Sequence, residues 1–340
     1  LFTRTLTWRG GNSVDGAKLA LSCSMVEHVS VAFHQNAIPI VQEIAVSNAT
    51  DVDLTEIEVR IATEPAFAIP AVLRIDRLAA GATHYIRTPD IRLDAAFLRK
   101  LTEGLRGEFR LSTSIGSDAQ NELTVPVRLQ PPNHWGGSVA CPELVAAFVR
   151  PNDPTIDVLL HDTSRRLTDA GKSGALDGYR AGRRERTWEI ASAAWSALAG
   201  LGITYVLPPA SFERSGQKVR GPSDVVERRT GTCFDLTLLY AALLEQAGLN
   251  PLVVLTRGHA FLGLWLRLEE FSTAVVDDMQ VLRKRRDLED LIFVETTALT
   301  ASPPMRFGEA VKLGARHIDE EAVEALEIAV DIHKARSMGI

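Results

Sequence analysis

Apolar and polar positions alternate along the first third of the chain. Residues 18–24, 40–47, 54–62, 71–75, 84–88, 107–113 and 122–129 each alternate or run apolar, and several are rich in Val and Ile, the pattern of short strands with a buried face. Turn chemistry separates them at Ser47-Asn48-Ala49-Thr50-Asp51, at Gly81 and at Gly116-Ser117-Asp118. The spacing predicts an antiparallel β-sandwich of about seven strands, interrupted by a helix over 94–105. Paired prolines in Gln130-Pro131-Pro132-Asn133 cannot continue a strand ladder and mark a linker.

Beyond the linker the period changes to that of helices. Pro142 stands where a first helical turn would start, and Asp153-Pro154 is an N-cap followed by proline at the first helical position. It opens a helix with Ile156, Leu159, Leu160 and Leu167 on one side. Trp188, Ala191, Trp195 and Leu198 follow at intervals of three, four and three, a core face closed by Gly200 or Gly202. After Thr230-Gly231-Thr232, the residues Leu236, Leu239, Tyr240, Leu243, Leu244 and Ala247 share one helical face, so a helix begins at about Cys233 and ends at Gly248. Residues 252–255 read as a buried strand and Arg257-Gly258 as a turn. A second strand opens at His259, and a third runs over 291–297. Residues 320–338 read as helix with no terminating signal before Gly339.

Composition narrows the function classes. A chain of 340 residues with 46% hydrophobic residues can bury two cores, and its net charge of -6 gives no basic footprint for nucleic acid or an anionic membrane. The run Arg283 to Arg286, beside Asp287, Glu289 and Asp290, reads as a solvated helix face. No segment approaches the roughly 18 consecutive apolar residues of a membrane span, and the start lacks a signal peptide's pattern. Three cysteines, Cys23, Cys141 and Cys233, without a CxxC pair, argue against a disulfide framework and fit a reducing, cytoplasmic setting. Histidine and cysteine spacings form no ligand set, so no metal or other cofactor is expected. The missing initial Met and the open C-terminal end suggest an excised piece of a longer polypeptide.

Chemistry concentrates between Gly231 and Thr297. Cys233 falls in the first turn of its helix, where unpaired N–H groups and the helix dipole stabilise a thiolate. His259, at a strand's start, is placed to act as base. Glu295, at the end of another strand, can accept the proton-bearing nitrogen of His259 and fix its tautomer. Asp277 and Asp278 are rivals for that third role. Gln217, in the stretch leading to the cysteine helix, is either an oxyanion donor or a loop glutamine facing solvent. Taken singly, Cys233 reads equally as a buried structural cysteine.

The ordered set Gly231-x-Cys233-x-Asp235, a helix ending at 245–249 in Glu-Gln-Ala-Gly-Leu, the run 258–261 of Gly-His-Ala-Phe, and Glu295-Thr296 resembles the core of the transglutaminase-like superfamily. Two positions depart from that pattern, with Glu295 where Asp is usual and Phe261 where Trp is usual. The insertion at 269–287 stretches the later spacing slightly. The resemblance implies an α+β, papain-type thiol domain over 133–312, preceded over 1–132 by an all-β immunoglobulin-like sandwich and followed over 313–340 by a helical segment. It implies a Cys233, His259 and Glu295 triad acting on a protein or peptide amide by hydrolysis or acyl transfer. The wider sequence is similar to the N-terminal part of large bacterial proteins that carry a superfamily I helicase-type ATPase, which would make that motor an intramolecular partner. The competing expectation is an inactive binding module built on the same fold.

Overall fold

The computed structural model describes residues 6–9, 12–13, 17–139, 141–320 and 326–340. The chain parts into two compact units between His134 and Trp135. In the first unit, one sheet runs in the order Leu6–Arg9, Leu19–Met25, Val41–Asn48 and Thr83–Arg87. A second runs Asn12–Ser13, Asp118–Leu129, Leu105–Ile115, Leu54–Glu64 and Ala71–Leu78, with His28–Val29 parallel to Asp118–Leu129. Period-two burial drives this pairing. Leu123, Val125, Val127 and Leu129 are buried while Thr124, Pro126 and Arg128 are exposed, so one register alone keeps the apolar set inside. The helix expected over 94–105 contracts to Ala95–Arg99, capped where Asp94 accepts from the Phe97 N–H at 2.9 Å. Residues 100–104 form a turn and irregular connection that leads into the strand starting at Leu105. Cys23 lies in the core of this unit, and burial pushes its thiol up to about 12.

The second unit is built on a five-stranded antiparallel sheet in the order Val275–Val276, Leu326–Asp331, Pro251–Thr256, His259–Trp265 and Leu291–Val294. The cysteine helix, Cys233–Gln246, packs on the two strands Pro251–Thr256 and His259–Trp265, and the helices Pro154–Asp169 and Arg184–Ala199 pack on it in turn. Its residues from Cys233 through Leu244 are all buried, which makes it a central helix rather than an amphipathic surface one. Leu252, Val254, Phe261, Trp265 and Phe293 form a sheet-borne core with Met279 and Leu282 of the helix Met279–Asp287.

The expected helical segment over 313–340 is corrected by this topology. Residues Leu326–Asp331 form a strand that pairs with Pro251–Thr256 on one side and Val275–Val276 on the other, followed by a short helix, Ile332–Ser337. The segment completes the sheet, because Ile328, Ala329 and Val330 are buried there and Asp331 accepts from Trp265 Nε1 at 3.1 Å and from the Phe271 N–H at 3.0 Å. An apolar run of this length fits strand or helix, and the pairing partner 70 to 79 positions earlier decided it.

Candidate active site

The cysteine helix starts where the sequence pattern places its first turn. Thr232 is the N-cap: its hydroxyl accepts from the Asp235 N–H at 3.2 Å, while the Asp235 carboxylate accepts from the Thr232 N–H at 3.0 Å, a reciprocal capping box. Asp235 is wholly buried and also accepts from the Arg220 N–H and Arg220 Nη1, both at 2.8 Å. This carboxylate therefore ties the segment before the helix to the helix terminus. Cys233, the first helical residue, is held from the other side, since its carbonyl accepts from Thr237 Oγ1 at 2.8 Å.

His259 opens its strand after a turn in which Gly258 takes φ 73°, a left-handed conformation that glycine adopts without a Cβ clash. Its Nε2–H donates to Glu295 Oε2 at 2.7 Å. Glu295 ends the strand Leu291–Val294 and caps the following turn, with Oε1 accepting from the Thr297 N–H at 2.9 Å and from Thr297 Oγ1 at 2.6 Å. One carboxylate oxygen is thus pinned by backbone and hydroxyl, and the other faces the imidazole. Cys233 adjoins this imidazole closely enough to act on its protonation, and with Glu295 on Nε2 the ring nitrogen left free for the thiol is Nδ1. Burial alone would lower the His259 pKa. The hydrogen bonds and charges of Cys233 and Glu295 outweigh it and push the imidazole up to about 10. Burial would raise the Glu295 carboxyl, but the hydrogen bonds from His259, His317 and Thr297 hold it well below the usual carboxylate range.

Two residues join the site that carried no signal in the sequence. Tyr205, on a short strand paired in parallel with Thr230–Gly231, lies close enough to Cys233 and Glu295 for both to act on its phenol. Burial first, then the charges of Cys233 and Glu295, push its phenol up to about 12, so it stays a neutral donor. His317, at the C-cap of the helix Phe307–Arg316, donates from Nε2 to the same Glu295 Oε2 at 2.7 Å. Its ring lies 4.9 Å from that of His259 and 4.9 Å from that of Phe261, centroid to centroid. The helix reaches this position because Gly314 sits directly on the strand backbone, where a Cβ would meet Phe293 C and O at 2.5 Å. Neither residue has a periodic or motif spacing to Cys233, so only the fold could reveal them.

The other sequence candidates fall outside this cluster. Asp277 and Asp278 are exposed, and Asp278 is occupied as an N-cap, accepting from the Gln280 N–H at 2.8 Å. Gln217 is buried, which excludes the solvent-facing alternative, and its Nε2 donates to the hydroxyl of Thr232, the residue before Cys233, at 3.2 Å. Cys141 is a core thiol, pushed up to about 12 by burial and by neighbouring Glu143. The arginine run is paired within the unit, with Arg283 donating to the Ile318 carbonyl at 2.5 Å and Arg286 to Asp319 at 2.6 Å. Spacing along the chain offered no metal-ligand set, yet folding brings one donor atom each from His259, Glu295 and His317 within 4.8 Å of one another. Among the described residues no helix is long and apolar enough to cross a membrane.

No protein-family profile matches the chain, and no curated protein matches it in sequence. Among solved structures it is similar to a "putative protease" from Parabacteroides distasonis ATCC 8503, at 11% identity and a TM-score of 0.23, over 74% of this chain and 62% of that one. It is also similar to a family 76 glycoside hydrolase from a bovine Bacteroides thetaiotaomicron strain, at 9% identity and a TM-score of 0.15, over 61% of this chain and 46% of that one. The chain therefore spans less than two thirds of either neighbour's length, and similarity at these scores carries no argument about activity.

Proposed function

We propose that the second unit is a transglutaminase-like cysteine hydrolase or acyltransferase acting on protein or peptide amides through Cys233, His259 and Glu295. The observation that carries the reading is the juxtaposition itself: a thiol at a helix N-terminus beside an imidazole whose Nε2 donates to a pinned carboxylate at 2.7 Å. His259 Nδ1 accepts the proton of Cys233, and the imidazolium is stabilised by Glu295. The thiolate attacks the amide carbonyl carbon. The resulting oxyanion takes hydrogen bonds from N–H groups of the first helical turn, which lack intrahelical acceptors, and from the Tyr205 hydroxyl. His259 then returns the proton to the departing nitrogen, leaving a thioester on Cys233. Water or an amine resolves it, with His259 again as base.

The test is alkylation of Cys233 by iodoacetamide in wild type and in His259→Ala, read by peptide mass spectrometry with Cys23 and Cys141 as controls. Cys233 should react at least ten-fold faster than either control, and lose that advantage in His259→Ala. The wild type is then incubated with glutamine-containing peptides and a primary amine. Peptide cleavage, ammonia release or amine incorporation would separate proteolysis, deamidation and transamidation, and Cys233→Ala should abolish each.

One observation favours a second reading. Cys233 is 0% exposed, which suits an inactive domain serving as a binding module. In that reading the first unit, with an immunoglobulin-like arrangement of strands, and the second would together be an accessory region of a larger helicase-type ATPase. Labelling of Cys233 no faster than of Cys23 and Cys141 would favour it.

A further inference from the structure

His317 is unexplained by the thiol chemistry. A Cys-His-acid relay needs one donor on the acid's inner oxygen, and His259 already supplies it at 2.7 Å. A second imidazole on the same oxygen, also at 2.7 Å, adds nothing to the orientation of His259. Two histidines and one carboxylate converging on a point are, however, the donor set of a divalent transition-metal centre.

We propose that His259, Glu295 and His317 form a site for a single zinc-class divalent cation, and that its occupancy withdraws His259 from Cys233 and silences the thiol. The three donor atoms lie within 4.8 Å of one another. Tetrahedral ligands at roughly 2.0–2.2 Å from zinc stand about 3.4 Å apart, so each imidazole, now 2.7 Å from Glu295 Oε2, has to retreat by about 0.7 Å. The support around the site is that of a built centre. Thr297 fixes Oε1 through its N–H and hydroxyl, leaving Oε2 aimed at the histidines, and Phe261 lies against both rings, with centroids at 6.2 Å from His259 and 4.9 Å from His317. The side chains of His259 and His317 are 23% and 35% exposed, which leaves a path of entry and open coordination positions for water.

The metal and the thiol use opposite nitrogens of one ring. Coordination takes the His259 Nε2 lone pair in exchange for its proton, and because Glu295 already occupies Nε2, the nitrogen left for Cys233 is Nδ1. With the cation on Nε2, the ring's remaining proton sits on Nδ1, which then has no lone pair with which to accept the Cys233 proton. Each Nε2–H bond is exchanged for a metal–nitrogen bond, and the displaced protons pass to solvent with no change of oxidation state. This coupling rests on the thiol reading above, whereas the binding itself does not.

The experiment is titration of the full chain with Zn2+ against a fluorescent chelator of known affinity, repeated with Co2+ by visible absorption, in wild type, His317→Gln, Glu295→Gln and Cys233→Ser. Thermal melts establish that each variant is folded. The expected result is one cation per chain, with affinity at least ten-fold weaker in His317→Gln and in Glu295→Gln and unchanged in Cys233→Ser. Zn2+ at saturation should slow alkylation of Cys233 by at least ten-fold in wild type. Absence of binding at 100-fold excess of cation, or binding indifferent to His317 and Glu295, would overturn the site. An affinity lost in Cys233→Ser as fully as in His317→Gln would make the thiol the ligand and overturn the donor set. Binding that leaves the alkylation rate untouched would overturn the switch. If Cys233 proves no more reactive than the control cysteines without metal, the thiol reading fails while the metal titration still decides the site.

Discussion

Replacing Glu295 by Gln removes one negative charge from beside the imidazole of His259, at a contact of 2.7 Å, while keeping the side chain's size. With charge centres about 4 Å apart and an effective dielectric of about 20, the lost attraction is about 4 kcal/mol, or about three pKa units. His259 is pushed from 6.5 up to about 10, by Cys233 as well as Glu295, so the substitution should return it most of the way to the ordinary histidine range. The amide adds a second effect. If its oxygen keeps the Thr297 N–H, its NH2 faces His259 Nε2 and demands a lone pair there, which moves the ring proton to Nδ1, against the sulfur. The base is then in the wrong tautomer to accept the thiol proton.

The assay is NMR titration of the His259 ring in selectively labelled protein, with iodoacetamide labelling of Cys233 at pH 6.5 alongside. The midpoint should fall by about three units and the labelling should slow at least ten-fold. The same relay sets a stability signature. Because the folded pKa of His259 is raised, its contribution is complete below the unfolded value of 6.5 and is lost as pH rises through about 10. The urea midpoint of wild type should therefore decline between those values, and that of Glu295→Gln should decline less. A His259 midpoint in Glu295→Gln within about half a unit of wild type would refute the claim that this carboxylate holds the imidazolium.

Tyr205→Phe removes the hydroxyl that lies beside Cys233, so turnover of an amide substrate should fall by about a hundred-fold if that hydroxyl serves the oxyanion, with alkylation of Cys233 not slowed. Asp235→Asn leaves Arg220 facing a buried neutral group and weakens the capping box; urea unfolding should show a loss of about 3–5 kcal/mol, with Cys233 labelling reduced. Gly314→Ala drives a Cβ to 2.5 Å from Phe293 backbone atoms, which cannot yield as a side-chain tip would. The helix Phe307–Arg316 should lift from its strand, costing about 1–3 kcal/mol in unfolding and releasing His317 from Glu295, which ring NMR would register.

Local pattern made much of the site legible. A capped helix beginning at Cys233 follows from Thr232, Asp235 and the apolar period after them, because caps and periodicity are properties of neighbouring residues. The turn at Gly258 and the strands on either side of it are legible for the same reason. What neighbours do not determine is which distant elements meet. The strand Leu326–Asp331 belongs to the sheet because Pro251–Thr256 offered it an unpaired side, and nothing within its own residues says so. The choice of Glu295 over Asp277 and Asp278 came from the pairing of Leu291–Val294 with the histidine strand, which carries one carboxylate to the imidazole and leaves the other two in solvent. Tyr205 and His317 are single polar residues on short or terminal elements. Chain spacing carries no information about a contact made by packing, and so the hydroxyl beside the thiol and the second histidine on Glu295 were decided by the tertiary structure alone.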